Sequence, residues 1–173
     1  MTGKELSPRI FACREEIVSR LKSIASQIEI DYCGTSIEMV YSSTGASQFV
    51  VDLARMINLP VNLHQILYRP YVPPSGNGEV QLLLDVTQPL EGKHVILVDG
   101  VIISGKTPFY VMSLFKQRQP ASLEFCVVGS KLSELTVDLN IKYQLFAFGG
   151  EWIEGYGIGS GPNKLADCLL DLN

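Results

Sequence analysis

Nothing in this 173-residue sequence offers a metal knuckle or a disulfide framework. Its four cysteines stand apart at positions 13, 33, 126 and 168, no C-x-x-C pair occurs, and the only histidines are His64 and His94. Zinc spacing and a cysteine-dense secreted scaffold are thereby excluded, and reduced thiols in a cytoplasmic protein are expected. Charge is scarce as well: 18% of residues are Asp, Glu, Lys or Arg, against roughly one-quarter in ordinary soluble domains. The net charge of -4 gives no reason to expect nucleic acid or an anionic membrane as partner. No apolar run approaches the ~20 residues of a membrane span, and MTGKELSPRI lacks the apolar centre of a signal peptide. Repeats, low-complexity tracts and domain-splitting linkers are missing too, so one domain over residues 1–173 is expected.

What is present is alternation. Ile17, Leu21, Ile24 and Ile28 recur at helical spacing through REEIVSRLKSIASQIEI, which predicts an amphipathic helix over 14–30. A strand, IEMVY, follows at 37–41. The turn SSTGAS then opens a second helix through Phe49, Val50, Leu53 and Ile57, which Asn58 and Pro60 stop. VNLHQILY reads as a strand, RPYVPPSGNGE as a long loop without regular structure, and VQLLLDV as a returning strand. HVILVDG is a continuous apolar strand ending on an acid, the pattern of a central parallel strand buried on both faces. A helix GKTPFYVMSLFKQ, strands LEFCVV and YQLFAF, and a Gly-rich tail complete the chain. The expected fold is α/β, a mainly parallel sheet flanked by helices, with a small hood from the two chain ends and a mobile loop at 70–79.

The segment VILVDGVIISGKT (95–107) carries the chemistry. A buried strand ends on Asp99, a loop turns, and Ser104-Gly105-Lys106-Thr107 begins a helix. Uncapped N–H groups, the helix dipole and two hydroxyls make an anion site there, and Gly105, without a Cβ, lets backbone close on a phosphate. Residues 100–107 also satisfy the nucleotide-triphosphatase pattern G-x-x-x-x-G-K-[ST]. Against that reading stand the bulky Val101, Ile102 and Ile103, the late position of the motif, and the lack of an aspartate closing either downstream strand.

The same residues resemble the signature of the type I phosphoribosyltransferases, an apolar strand followed by two acids, two apolar residues, an Asp or Ala, a Thr or Ser, and Gly. The resemblance runs in order along nearly the whole chain. The first helix, TGASQFVVDLARMI, SGNGEVQLLLDVTQPLEGKHVILVDG and WIEGYGIG are all similar to bacterial hypoxanthine phosphoribosyltransferases. This resemblance implies transfer of 5-phosphoribose from phosphoribosyl pyrophosphate to a 6-oxopurine, with Mg2+, in a homodimer or homotetramer. It assigns Asp99 to the ribose hydroxyls and metal, and Ser104, Gly105, Lys106 and Thr107 to the 5-phosphate. Thr44 and Gly45 take the pyrophosphate loop, Lys131 and Trp152 the purine, and Tyr71 the closing lid. Without the resemblance, Trp152 reads as core, Lys131 as a solvated surface lysine, and His64 and His94 as structural residues with no partner in view.

The departures from the family pattern are several. Gly100 replaces the second acid, and Ile103 stands where the hypoxanthine enzymes carry an aspartate thought to help deprotonate the purine. Thr44 replaces a lysine, Gly159 falls where a second metal ligand is expected, and Lys164 is the nearest basic residue to a late arginine. A slow transferase and a binding paralogue for nucleotide or phosphoribosyl pyrophosphate are both open on this evidence. If these losses limit the rate, restoring aspartate at Ile103 and Gly100 is expected to raise it.

Overall fold

A computed structural model describes residues 8–42, 45–71 and 79–173. Helix α1 (Arg14–Asp31) buries Ile17, Leu21, Ile24, Ala25 and Ile28, the stripe that the apolar spacing predicts. Full burial of one such side chain stabilises by roughly 1.5–3 kcal/mol. Arg20 fixes the helix to the sheet: its Nη1 donates to the Leu145 carbonyl at 2.8 Å, and its guanidinium lies 4.4 Å from the Phe146 ring centre.

Strands β2 (Ile37–Ser42), β3 (Val61–Tyr71), β4 (Glu79–Leu84), β5 (His94–Ile102), β6 (Ser122–Ser130) and β7 (Tyr143–Ala147) form one sheet in the order β4-β3-β2-β5-β6-β7. All neighbours run parallel except the β3–β4 pair. The central strand β5 has Val95 to Val98 buried. Ile96 and Val98 join the core beneath α1 and helix α2 (Ser47–Met56), while Val95 and Leu97 join the opposite core beneath helix α3 (Lys106–Lys116). Strands β1 (Arg9–Ala12), β8 (Ile153–Glu154) and β9 (Leu169–Asp171) pair antiparallel in the order β1-β9-β8, so the two chain ends build the expected hood.

Three expectations are corrected. β5 does not end at Asp99; it continues to Ile102, with Val101 opposite Gly129 and Ile102 opposite Ser130, because β6 is long enough to keep pairing. That pairing also removes the triphosphatase reading, since residues 100–102 are extended strand and cannot wrap a phosphate. The stretch from Arg69 is not wholly irregular: Arg69 pairs with Gln81, Pro70 with Val80 and Tyr71 with Glu79. Within the 70–79 loop, residues 72–78 lie outside the described residues. Finally, both histidines have partners. His64 Nε2 lies 2.6 Å from Glu38 Oε2, and His94 Nδ1 lies 2.8 Å from Ser122 Oγ.

Candidate active site

Three neighbouring parallel strands, β2, β5 and β6, bring their carboxyl ends to one edge of the sheet, where open α/β sheets bind ligands. After β5, the chain turns through Ile103, Ser104 and Gly105, and α3 starts at Lys106, two residues later than the sequence suggests. Gly105 sits in the left-handed region at φ 75° and no side chain caps the helix start. The Thr136 N–H and hydroxyl both donate to the Ser104 carbonyl, at 3.0 and 3.1 Å, fixing the turn from outside. A Cβ at Gly105 would lie 2.9 Å from Val137 and 3.1 Å from Leu135, so glycine is required by conformation and by space. Ser104, Lys106 and Thr107 flank this helix start, an arrangement able to receive a phosphate monoester.

Asp99 is held by hydrogen bonds from two other strands and from its own. Its Oδ1 accepts from the Ser42 hydroxyl at 3.0 Å and from the Gly100 N–H at 2.8 Å, and its Oδ2 accepts from the Tyr68 hydroxyl at 3.0 Å. Burial pushes its carboxyl above the usual range, and those hydrogen bonds oppose the rise only in part. The Tyr68 hydroxyl is raised as well, by burial and then by the adjoining Asp99. Asp99 therefore closes a hydrogen-bonded cluster across β2, β3 and β5.

Gly100 explains why no second acid follows. A Cβ there would lie 2.8 Å from the Gly45 carbonyl oxygen and 3.2 Å from its carbon. The Gly45 peptide, at φ 88°, occupies the room an acid would need. Thr44 lies outside the described residues, as does the side chain of Tyr71. Gly159, on the far side of the site, likewise offers no ligand. Among the described residues no three His, Cys, Asp or Glu side chains are grouped to hold a metal ion. The described residues do not fit a resident divalent cation.

Beside the 103–105 turn opens a cavity of about 430 Å³ between the end of β5 and the hood. Val101 and Ile103 line one side, Ile158 and the 159–161 glycine turn another, and Lys131, Trp152 and Glu154 supply its aromatic and charged groups. Trp152, the chain's only tryptophan, is 62% exposed, so it is no core residue. Lys131, by contrast, is only 8% exposed and is no solvated surface lysine. Its N–H donates to the Ile102 carbonyl at 2.9 Å, its Nζ pairs with Glu134 at 3.2 Å, and that Nζ lies 5.9 Å from the Trp152 ring centre. The structure thus brings Lys131, Trp152 and Ile103 to one cavity. The Lys164 side chain is not among the lining groups. Ile158 and Glu154 were not singled out from the sequence, where Val101 enters only as an apolar residue of the motif.

A sequence profile described as the phosphoribosyl transferase domain matches residues 11–158. Among curated relatives, the hypoxanthine-guanine phosphoribosyltransferase of Streptococcus thermophilus is 28% identical over 159 residues, covering 91% of this chain and 88% of that one. That of Crithidia fasciculata is 31% identical over 163 residues, covering 88% and 78%. Among solved structures, a Bacillus anthracis hypoxanthine-guanine phosphoribosyltransferase superposes with a TM-score of 0.87 at 29% identity, over 94% of this chain and 95% of the other. The Trypanosoma cruzi hypoxanthine phosphoribosyltransferase gives 0.88 at 25% identity over 100% and 95%.

Proposed function

We propose that this chain, which belongs to the phosphoribosyl transferase domain family, transfers 5-phosphoribose from phosphoribosyl pyrophosphate to a 6-oxopurine, releasing pyrophosphate. One juxtaposition supports the reading most. The cavity starts at Val101 and Ile103, adjoining the Ser104–Thr107 turn, and reaches an exposed tryptophan and a nearly buried lysine. A nucleoside monophosphate has that order of parts: phosphate, sugar, then a flat base that stacks on an aromatic face while a carbonyl accepts from a cation.

In the reaction, the bond from ribose C1 to the leaving pyrophosphate oxygen breaks, a purine nitrogen bonds to C1, and the purine loses a proton. The chain contributes position: the phosphate held at the α3 start, the base against Trp152, and its 6-oxo group toward Lys131. Ile103 cannot take the proton, and neither Gly100 nor Gly159 adds charge. Turnover is accordingly slow, with the purine proton passing to solvent. Magnesium enters as the counter-ion of the diphosphate substrate, since the described residues form no site of their own for it. We further place the activity in the cytoplasm, within one domain spanning the chain. No helix among the described residues is long and apolar enough to cross a membrane. The exposed Leu67, Leu83 and Leu84 on the β3–β4 hairpin support a homodimer or homotetramer.

The reading is tested by incubating purified protein with phosphoribosyl pyrophosphate, magnesium and a panel of bases. Pyrophosphate release is expected with hypoxanthine or guanine and not with adenine or uracil. Static light scattering tests the assembly, and a monomer at micromolar concentration contradicts it.

A further inference from the structure

Glu154 is the feature of the cavity that the transfer reaction leaves unused. It is 3% exposed, yet among the described residues no hydrogen bond or ion pair reaches its carboxylate. A carboxylate on so little-exposed a residue is ordinarily paired, and its oxygens open to the cavity that they line. Two glycines pack against it. A Cβ on Gly161 would collide with Glu154 Oε1, and a Cβ on Gly159 would lie 3.0 Å from its Cγ and 3.2 Å from Oε1. Gly159 and Gly161 together form the bed on which the side chain lies, and the φ of 88° at Gly159 shapes the turn around it. The other acid of the cavity wall, Glu151, is already engaged, accepting from the Gly149 N–H at 2.6 Å. Lys131 is held by Glu134. The cavity therefore presents one committed cation and one uncommitted anion.

We propose that Glu154 is a specificity-determining residue that reads the hydrogen-bond donor edge of the base and selects a 2-amino-6-oxopurine, guanine, over purines lacking the amino group. This rests on the base-pocket reading above. A carboxylate accepts only, so its complement in a flat heterocycle is an N–H beside an amino group. Guanine offers that pair, N1–H and the 2-amino group, adjoining the 6-oxo acceptor that suits Lys131. Hypoxanthine lacks the amino group and leaves the acid half satisfied. Xanthine sets a carbonyl oxygen against it, and two acceptors facing one another repel. A site built around a buried polar group rejects the analogue that cannot pair with it. A charge-assisted hydrogen bond to the amino group is expected to favour GMP over IMP by roughly 10- to 100-fold.

Trp152 supplies the readout, because the chain has no other tryptophan and a stacked base quenches it. Full-length protein is titrated with GMP, IMP and XMP while tryptophan emission is followed. The expected order is GMP tighter than IMP, and IMP tighter than XMP. Glu154→Gln, which keeps the shape and removes the charge, is expected to shrink the GMP-to-IMP ratio at least several-fold, chiefly by weakening GMP. The wild-type titrations require no variant, so the proposal stays testable if Glu154→Gln does not fold. Equal binding of GMP and IMP by the wild type, or a ratio unchanged in a folded Glu154→Gln protein, overturns the proposal and leaves the base pocket standing. Absence of binding by all three nucleotides overturns both.

Discussion

Replacing Ile103 and Gly100 with aspartate, singly and together, should have opposite effects, although both changes restore an acid of the family pattern. Ile103 is 44% exposed and lines the cavity, so an aspartate there displaces no core packing and should alter stability by no more than about 0.5 kcal/mol. It places a carboxylate where the purine must lose a proton, and a general base is worth ~10²–10⁴ in rate. The lower end, on the order of 10², is expected because the position is open to water. Gly100 differs. Its missing Cβ would sit 2.8 Å from a backbone oxygen and 3.2 Å from a backbone carbon of Gly45, neither of which can rotate away. Overpacking of this kind costs ~1–3 kcal/mol, and relief requires moving the loop after β2. Pyrophosphate-release assays with hypoxanthine, paired with urea melts, separate the outcomes. Ile103→Asp should be faster at nearly unchanged stability and show a new acidic limb in its pH–rate profile. Gly100→Asp should be less stable and no faster, and the double variant no faster than Ile103→Asp alone. A Gly100→Asp protein as stable as wild type and faster would refute the packing argument; a folded Ile103→Asp protein with no gain would refute the proton-transfer argument.

Three further outcomes follow from the same geometry. Gly105→Ala should destabilise by about 1–3 kcal/mol, through its φ of 75° and the Val137 and Leu135 contacts, and should weaken IMP binding; calorimetry with and without IMP measures both. Trp152→Ala should weaken nucleotide binding by about 1–3 kcal/mol of lost stacking without lowering the melting temperature, since the residue is mostly exposed; isothermal titration checks this. For Glu38, burial alone would raise its carboxyl pKa, but hydrogen bonds from His64, Lys93 and Asn62 outweigh burial and hold it below the usual range. Its stabilisation is thus fully present above the ordinary glutamate pKa of about 4.3 and is lost as pH falls through the lower folded value. Glu38→Gln should cost ~1–3 kcal/mol near neutrality, and urea melts from pH 3 to 7 should show that gap closing below pH 4.

The order of elements was legible because local signals and tertiary demands agree. The Ile17–Ile28 stripe, the unbroken Val95–Val98 run and the Asn58–Pro60 stop each correspond to an element with the expected burial. The length of β5 was not, since Gly100 interrupts the strand signal, and Val101 and Ile102 extend because Gly129 and Ser130 pair with them. Pro70 likewise reads as a breaker, yet it lies in a hairpin whose pairing partner, Val80, is ten positions further along. At the site, the turn before α3 could be read locally. Two relations could not, because each joins residues distant in sequence: the Asp99 contacts to Ser42 and Tyr68, and the closure of Gly100 by Gly45. The glycine at position 100, which looks like a lost functional group in one dimension, is the room another part of the chain requires.

The most direct test of the account is conversion of radiolabelled hypoxanthine by the purified protein supplied with phosphoribosyl pyrophosphate and magnesium, with nucleotide and pyrophosphate both quantified. Labelled IMP and pyrophosphate should accumulate in equal amounts, slowly, and faster in Ile103→Asp. No labelled nucleotide after prolonged incubation, from protein whose Trp152 emission nonetheless responds to IMP, would contradict the assignment of transfer to this chain.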